Sequence, residues 1–194
     1  MCGRYTFFTD KELQEVDEII GKINEEIRQE KMKTGEISPT DTVPVLIERG
    51  GDIVPRLLAW GFPNFRDKRV IINARAETAR EKKMFSASLE NRRCVIPSTG
   101  FYEWDASKKK YLFNNPGTGM VYMAGLYDRF EGKDRFVILT TAANSSMLEI
   151  HDRMPVVIPK DLIREWLCNK NKVDDILFGE KPELIRYSEN KQQK

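Results

Sequence analysis

Histidine is nearly absent from the 194-residue chain, which has one, and cysteine is scarce, with three at positions 2, 94 and 168. One histidine and no CxxC pair leave too few nitrogen and sulfur donors for a zinc centre, so neither a metal nor a cofactor is expected. Three widely spaced cysteines cannot make a disulfide framework and fit a reducing compartment. No apolar run approaches about 18 residues, and the opening MCGRYTFFTDKE lacks the regions of a signal peptide. A cytoplasmic, monomeric protein with no membrane partner is expected. Excess charge is missing too: 32 Lys and Arg against 30 Asp and Glu leave +2. That balance permits a nucleic-acid partner without demanding one.

What is present suits a folded domain, with 40% hydrophobic and 32% charged residues. Thr9 and Glu12 have capping-box spacing, and Leu13, Val16, Ile19, Ile20, Ile23 and Ile27 follow as a helical stripe. Lys31 to Glu36 reads as an exposed loop. Val43 to Glu48 and Ile53 to Trp60 flank Arg49-Gly50-Gly51-Asp52 and predict a hairpin. Further strands are expected at 69–73, 93–97, 100–105, 110–114, 120–127, 135–141 and 155–158, and helices at 77–90, 145–150, 160–168 and 173–178. Strands irregularly interrupted by helices indicate an α+β fold rather than a βαβ parallel sheet. One domain over 1–188 is expected, with a disordered tail over 189–194.

Cys2 carries the sharpest chemistry. Initiator methionine is commonly excised before a small second residue, which here leaves a cysteine with a free α-amine, a 1,2-aminothiol. An α-amine with a pKa near 7.7–8.0 is roughly 15% neutral at pH 7, against roughly 0.04% for a lysine. It is therefore the better nucleophile toward an aldehyde. Amine attack gives a Schiff base, and the neighbouring thiol can then close a five-membered thiazolidine, favoured because both groups sit on adjacent carbons.

Three other segments set isolated polar groups among apolar ones. Asn73 stands at a strand end in Ile71-Ile72-Asn73-Ala74-Arg75-Ala76-Glu77-Thr78. Glu103 lies between Tyr102 and Trp104, where desolvation would suit it to acid/base work. His151 sits in Ile150-His151-Asp152-Arg153-Met154-Pro155. Taken alone, Asn73 also fits a turn or cap, Glu103 a solvent-facing strand position and His151 a loop histidine bonded to its neighbours. Cys94 and Cys168 read as packing residues. Arg4, Arg75, Arg80, Lys82, Lys83, Arg92 and Arg93 lie near these segments, as do Trp60, Phe62 and Phe65. Cations mixed with stacking faces suit single-stranded nucleic acid.

Together, Met1-Cys2-Gly3-Arg4-Tyr5, Asn73 to Thr78, Arg93 to Pro97 leading to Gly100-Phe101-Tyr102-Glu103-Trp104, and His151 to Pro155 resemble the SOS-response-associated peptidase family. They occur in that family's order and span nearly the whole chain. The resemblance implies a curved, barrel-like, mostly antiparallel β core with peripheral helices. It also implies a groove for single-stranded DNA, including DNA near a junction with duplex. It implies that Cys2 forms a thiazolidine with the aldehyde of an abasic site, shielding the lesion as part of the DNA damage response. Asn73 would orient the amine or sugar, Glu103 would shuttle protons, and His151 would act on the sugar oxygen or in reversal. Arg4, Trp60, Arg75, Arg80 and Arg153 would hold phosphate or base. A cysteine-type peptidase, including removal of the chain's own Met1, is the alternative. Two departures stand out: Glu36 occupies a position where the family pattern usually has asparagine, and Tyr187-Ser188 is not followed by the family's usual Val-Asn.

Overall fold

The computed structural model describes residues 2–8, 18–19, 21–22, 32–67, 69–117 and 119–188. Of the amphipathic stripe expected after Thr9, only Ile19 falls among them, and it is buried. The rest of the stripe and the tail 189–194 lie outside the described residues.

The hairpin expected around Arg49 to Asp52 forms as β3 (Thr42–Arg49) and β4 (Asp52–Trp60), paired from Arg49↔Asp52 at the tip to Thr42↔Ala59. Gly50 and Gly51 make the turn at φ of 64° and 88°, values that L side chains resist. β3 also pairs with β8 (Arg93–Ser98), which pairs with β11 (Val121–Phe130), which pairs with β12 (Lys133–Ala142). A parallel contact of β12 with β4, at Arg135↔Ala59 and Phe136↔Trp60, closes the ring. Five strands therefore form a closed, mixed β-barrel in an α+β domain, and closure leaves no open edge within the ring.

All six residues of β8 are buried. Its apolar run Cys94-Val95-Ile96 faces the barrel interior on one side and the helix Ile163–Cys168 on the other, so it reads as continuous rather than alternating. Where β11 crosses β8, Gly125 is required: a Cβ there would lie 2.4 Å from Ile96 Cδ1 and 2.8 Å from the Val137 carbonyl.

A second sheet of five strands runs β14 (Ile185–Ser188), β10 (Lys110–Asn114), β9 (Gly100–Trp104), β1 (Arg4–Phe7) and β2 (Gly35–Ile37). The chain passes from barrel to sheet at a corner between β8 and β9. Gly100 stands there at φ 150°, with Phe113 O only 2.9 Å from a would-be Cβ. Ser98 Oγ accepts from Gly100 N at 3.0 Å, and Thr99 N donates to Thr6 O at 2.8 Å, which pins β1 to the corner.

Several boundaries differ from expectation. The segment 69–73 divides into β6 (Val70–Ile71) and β7 (Asn73–Arg75), the latter parallel to β12. The helix expected over 77–90 is two, Ala76–Ala79 and Lys83–Asn91, because the chain turns at Arg80 so that its guanidinium reaches Glu90 at 2.6 Å and Asp174 at 2.7 Å. The loop expected up to Glu36 already contains β2, where Gly35 to Ile37 pair with β1. The strand expected at 155–158 is β13 (Arg153–Pro155) followed by a single bridge from Val157 to Met123.

Candidate active site

Cys2 is fully buried just before β1. Its thiol lies 3.8 Å from the Arg4 carbonyl, and its own carbonyl accepts from Asn73 Nδ2 at 2.9 Å. Asn73 opens β7, which reaches this spot by lying beside Ile138 to Thr140 of β12. The remaining amide oxygen, Asn73 Oδ1, is buried without a hydrogen-bond partner.

Glu103 arrives from the neighbouring strand. β1 and β9 pair at Arg4↔Tyr102 and Tyr5↔Phe101, so alternation turns Glu103 to the face of Phe101 and Tyr5, between sheet and barrel. It is 3% exposed, which resolves the choice between a solvent-facing and an inward position. Burial pushes the Cys2 thiol well above its ordinary pKa, and the adjacent Glu103 carboxylate pushes it further. The thiol therefore keeps its proton at neutral pH, beside a carboxylate. Tyr5 completes the inner wall: its hydroxyl is buried without a partner, and burial followed by the charges of Cys2, Asp41 and Cys94 raises it too.

His151 follows the short helix Ser145–Leu148 and precedes β13, which borders β12 at Thr140↔Pro155 while β7 borders it at Thr140↔Arg75. Its Nδ1 lies 3.0 Å from Arg153 N and 2.9 Å from an Asp152 oxygen, which fixes the ring between the two.

A family model described as SOS response associated peptidase (SRAP) matches residues 1–187. The chain belongs to the SRAP family. Among SRAP relatives, abasic site processing protein YoqW of Bacillus subtilis is 34% identical over 91% of this chain and 84% of its own length. Abasic site processing protein YedK of Escherichia coli is 29% identical over 86% and 79%. The crystal structure of a Bacteroides thetaiotaomicron protein matches with a TM-score of 0.80 over 98% of this chain and 93% of that one. At 24% identity this likeness speaks for the fold alone.

Among the SRAP residues singled out for DNA, the structure sorts the five differently. Trp60 is corrected. Its ring is fully buried, 5.2 Å from Tyr5 and stacked 6.2 Å from Phe136, and its Nε1 donates to Ile72 O at 3.0 Å. No face is left for a base, so Trp60 is core. Arg153 forms a two-pronged bond to Glu77, at 2.7 and 2.8 Å, plus one to Thr140 O at 2.7 Å, so it ties β13 to the helix Ala76–Ala79. Arg80 is engaged by two carboxylates, as described. Arg4 is half-exposed and Arg75 exposed.

Sequence reasoning missed Met84 and Phe85. With Ile71, Asn73, Ala74, Arg75 and Lys82 they line a cleft of about 280 Å³ directly beside the Asn73 amide. Phe62 touches Phe85 and Phe130, and Phe130 touches Phe65, whose ring is 77% exposed. The clue was the mixed apolar and basic run Lys82-Lys83-Met84-Phe85, legible once Asn73 is known to sit next to it.

Proposed function

We propose that this SRAP protein captures abasic sites in single-stranded DNA, including strands beside a duplex junction, by forming a thiazolidine at Cys2 after Met1 is removed. The observation that carries the reading is the convergence of Cys2, Asn73 and Glu103 from positions far apart in sequence, with the Asn73 amide on the Cys2 carbonyl and the thiol held protonated beside a buried carboxylate. The names of the relatives, which process abasic sites, agree with it.

In the proposed sequence the free α-amine, more often neutral at pH 7 than a lysine, attacks the ring-opened sugar's aldehyde carbon. Water leaves and an imine forms, with Glu103 taking a proton from the nitrogen and passing it to the departing oxygen. The thiol sulfur adds to the imine carbon, its proton passes by way of Glu103 to the nitrogen, and the ring closes. A buried, protonated thiol suits this second step. An imine left open can proceed to β-elimination and strand cleavage; ring closure consumes it. His151 is assigned to the sugar oxygen, in ring opening or reversal. Arg4, Arg75 and Lys82 hold phosphates, and the cleft with Phe85 and the exposed Phe65 receives bases.

A thiol peptidase acting on external substrates is the weaker reading. Its nucleophile needs a depressed pKa and a base on sulfur, whereas the Cys2 thiol is raised and directed to a backbone carbonyl.

The test is to incubate Met1-free protein with a single-stranded oligonucleotide bearing one abasic site. A heat-stable adduct is expected, with the intact mass of the sum less water. Cys2→Ala should lose it; an equally stable adduct from that variant sinks the thiazolidine reading.

A further inference from the structure

Glu36 lies on β2 opposite Thr6 of β1, and each of its carboxylate oxygens takes a different cation. Oε1 accepts from Arg4 Nη1 at 2.5 Å and Oε2 from Lys110 Nζ at 2.9 Å. These three side chains meet because β2, β1, β9 and β10 are consecutive in the sheet. Alternation places them on the face opposite to that of Glu103. Lys110 also lies 3.6 Å above the Tyr102 ring, which is directly across from Arg4. Partial burial alone would push the Glu36 carboxyl up; the bonds from Lys110 and Arg4 outweigh it and hold the group below its ordinary range. It is therefore fully charged at neutral pH.

Arg4 is two residues from Cys2, and its carbonyl faces the Cys2 thiol. A phosphate drawn to Arg4 would thus lie two residues along the strand from the reacting terminus, on the sheet face away from Glu103. We infer that Glu36 is a built-in competitor for that phosphate, occupying Arg4 and Lys110 so that the backbone of a DNA strand settles beside Cys2 only by displacing or opposing it. The inference rests on the DNA reading above.

The electrostatic sign is unambiguous. One carboxylate on two cations leaves a single net positive charge where the sequence counts two, and a carboxylate within a few ångströms of an arriving phosphate repels it. The site is open enough for the exchange: the side chains of Arg4, Glu36 and Lys110 are 40%, 36% and 23% exposed. Partly exposed ion pairs hold weakly and are screened by salt, so a strand can open them. The functional consequence is discrimination. Intact strands are held loosely and released, and the covalent bond to an abasic site, rather than the phosphate contacts, decides which strand is retained.

The experiment compares Met1-free wild type with Glu36→Gln, using an intact single-stranded oligonucleotide at several salt concentrations and the abasic oligonucleotide for crosslinking. Glu36→Gln is expected to bind intact DNA about five- to tenfold more tightly at low salt. Its log–log salt dependence should steepen by about 0.7 for each cation released to phosphate. The half-saturating concentration of abasic DNA should fall by a similar factor. Lys110→Gln should weaken binding more in the Glu36→Gln background than in wild type. Equal or weaker binding by Glu36→Gln with an unchanged salt slope overturns the inference, as does an effect confined to the limiting crosslinking rate. Should Glu36→Gln melt early, the same question is answered in the wild-type background. There Lys110→Gln, whose charge is already matched, should weaken binding less than Arg75→Gln, and the reverse order overturns the proposal. Wild type that neither binds nor crosslinks removes the DNA reading and this inference together; wild type that crosslinks beside an indistinguishable Glu36→Gln removes the inference alone.

Discussion

Two polar clusters are buried at opposite ends of β8, and they differ in how completely their hydrogen bonds are met. At its start, Arg93 is 6% exposed and its guanidinium donates to four backbone carbonyls, those of Trp166, Leu89, Glu90 and Leu167. Trp166 Nε1 in turn donates to Cys94 O at 2.9 Å. One cation thereby caps the last carbonyls of two helices, a role that leaves nothing for a ligand. Near its other end, beyond Ser98, the Cys2 cluster keeps Asn73 Oδ1 and the Tyr5 hydroxyl buried and unmatched. Buried polar atoms normally find partners, and these two of the exceptions among the described residues stand beside the cysteine on which the proposed chemistry turns. Satisfaction of hydrogen bonds, more than burial, separates the Arg93 guanidinium from the Asn73 amide and the Tyr5 hydroxyl.

Substitutions can break that contrast. Glu103→Gln should slow adduct formation by about 10²- to 10⁴-fold, the usual worth of a general acid/base, with little loss of stability; quenched time courses against melting temperature give both numbers. Arg93→Met should do the opposite, costing about 3 kcal/mol of stability through lost charge-assisted bonds while folded molecules still crosslink; urea titration with adduct yield at low urea tests it. A slow crosslinker among folded Arg93→Met molecules would erase the distinction.

The thiols give a pH test. Burial raises Cys94, and burial followed by Glu103 raises Cys2, so the native state keeps protons that the unfolded chain releases above about pH 8.5. Stability therefore falls as pH rises past that value, by up to about 1.4 kcal/mol per pH unit for each thiol. Cys94→Ala should flatten the decline by one thiol's share in urea midpoints taken at pH 8, 9 and 10. The smallest effect expected is on Arg75→Gln, which should weaken single-strand binding and reduce its salt slope by about 0.7 with unchanged stability.

Much of the site was legible because its chemistry is tied to residue type. An amide, a carboxylate and a terminal cysteine each have bland uses taken alone, but together they matched one family's motifs, and Cys2, Asn73 and Glu103 do converge. Trp60 shows the opposite case, since a tryptophan serves core and base-stacking equally well. The strand's own alternation held the answer: Leu58 and Trp60 share a face of β4, and both are buried. The β3–β4 hairpin was readable from Arg49 to Asp52 because a two-glycine turn is a local signal. The break at Arg80 was not, because it depends on Asp174, a partner 94 residues away. Exposed β14 was invisible for a related reason: all four of its residues face solvent, and only pairing with β10 makes them a strand.

The pairing of β1 with β9 also has a consequence in time. β2 can pair with one edge of β1 early, but Arg4 meets Tyr102, so the other edge has no partner until about a hundred more residues have been made. At roughly 5–20 residues per second that is a delay of several seconds or more. During that interval the end of the chain carrying Cys2 is open to the processing on which the proposed chemistry depends, and folding afterwards closes it into the interior. Synthesis order thus gives a buried amine its period of access.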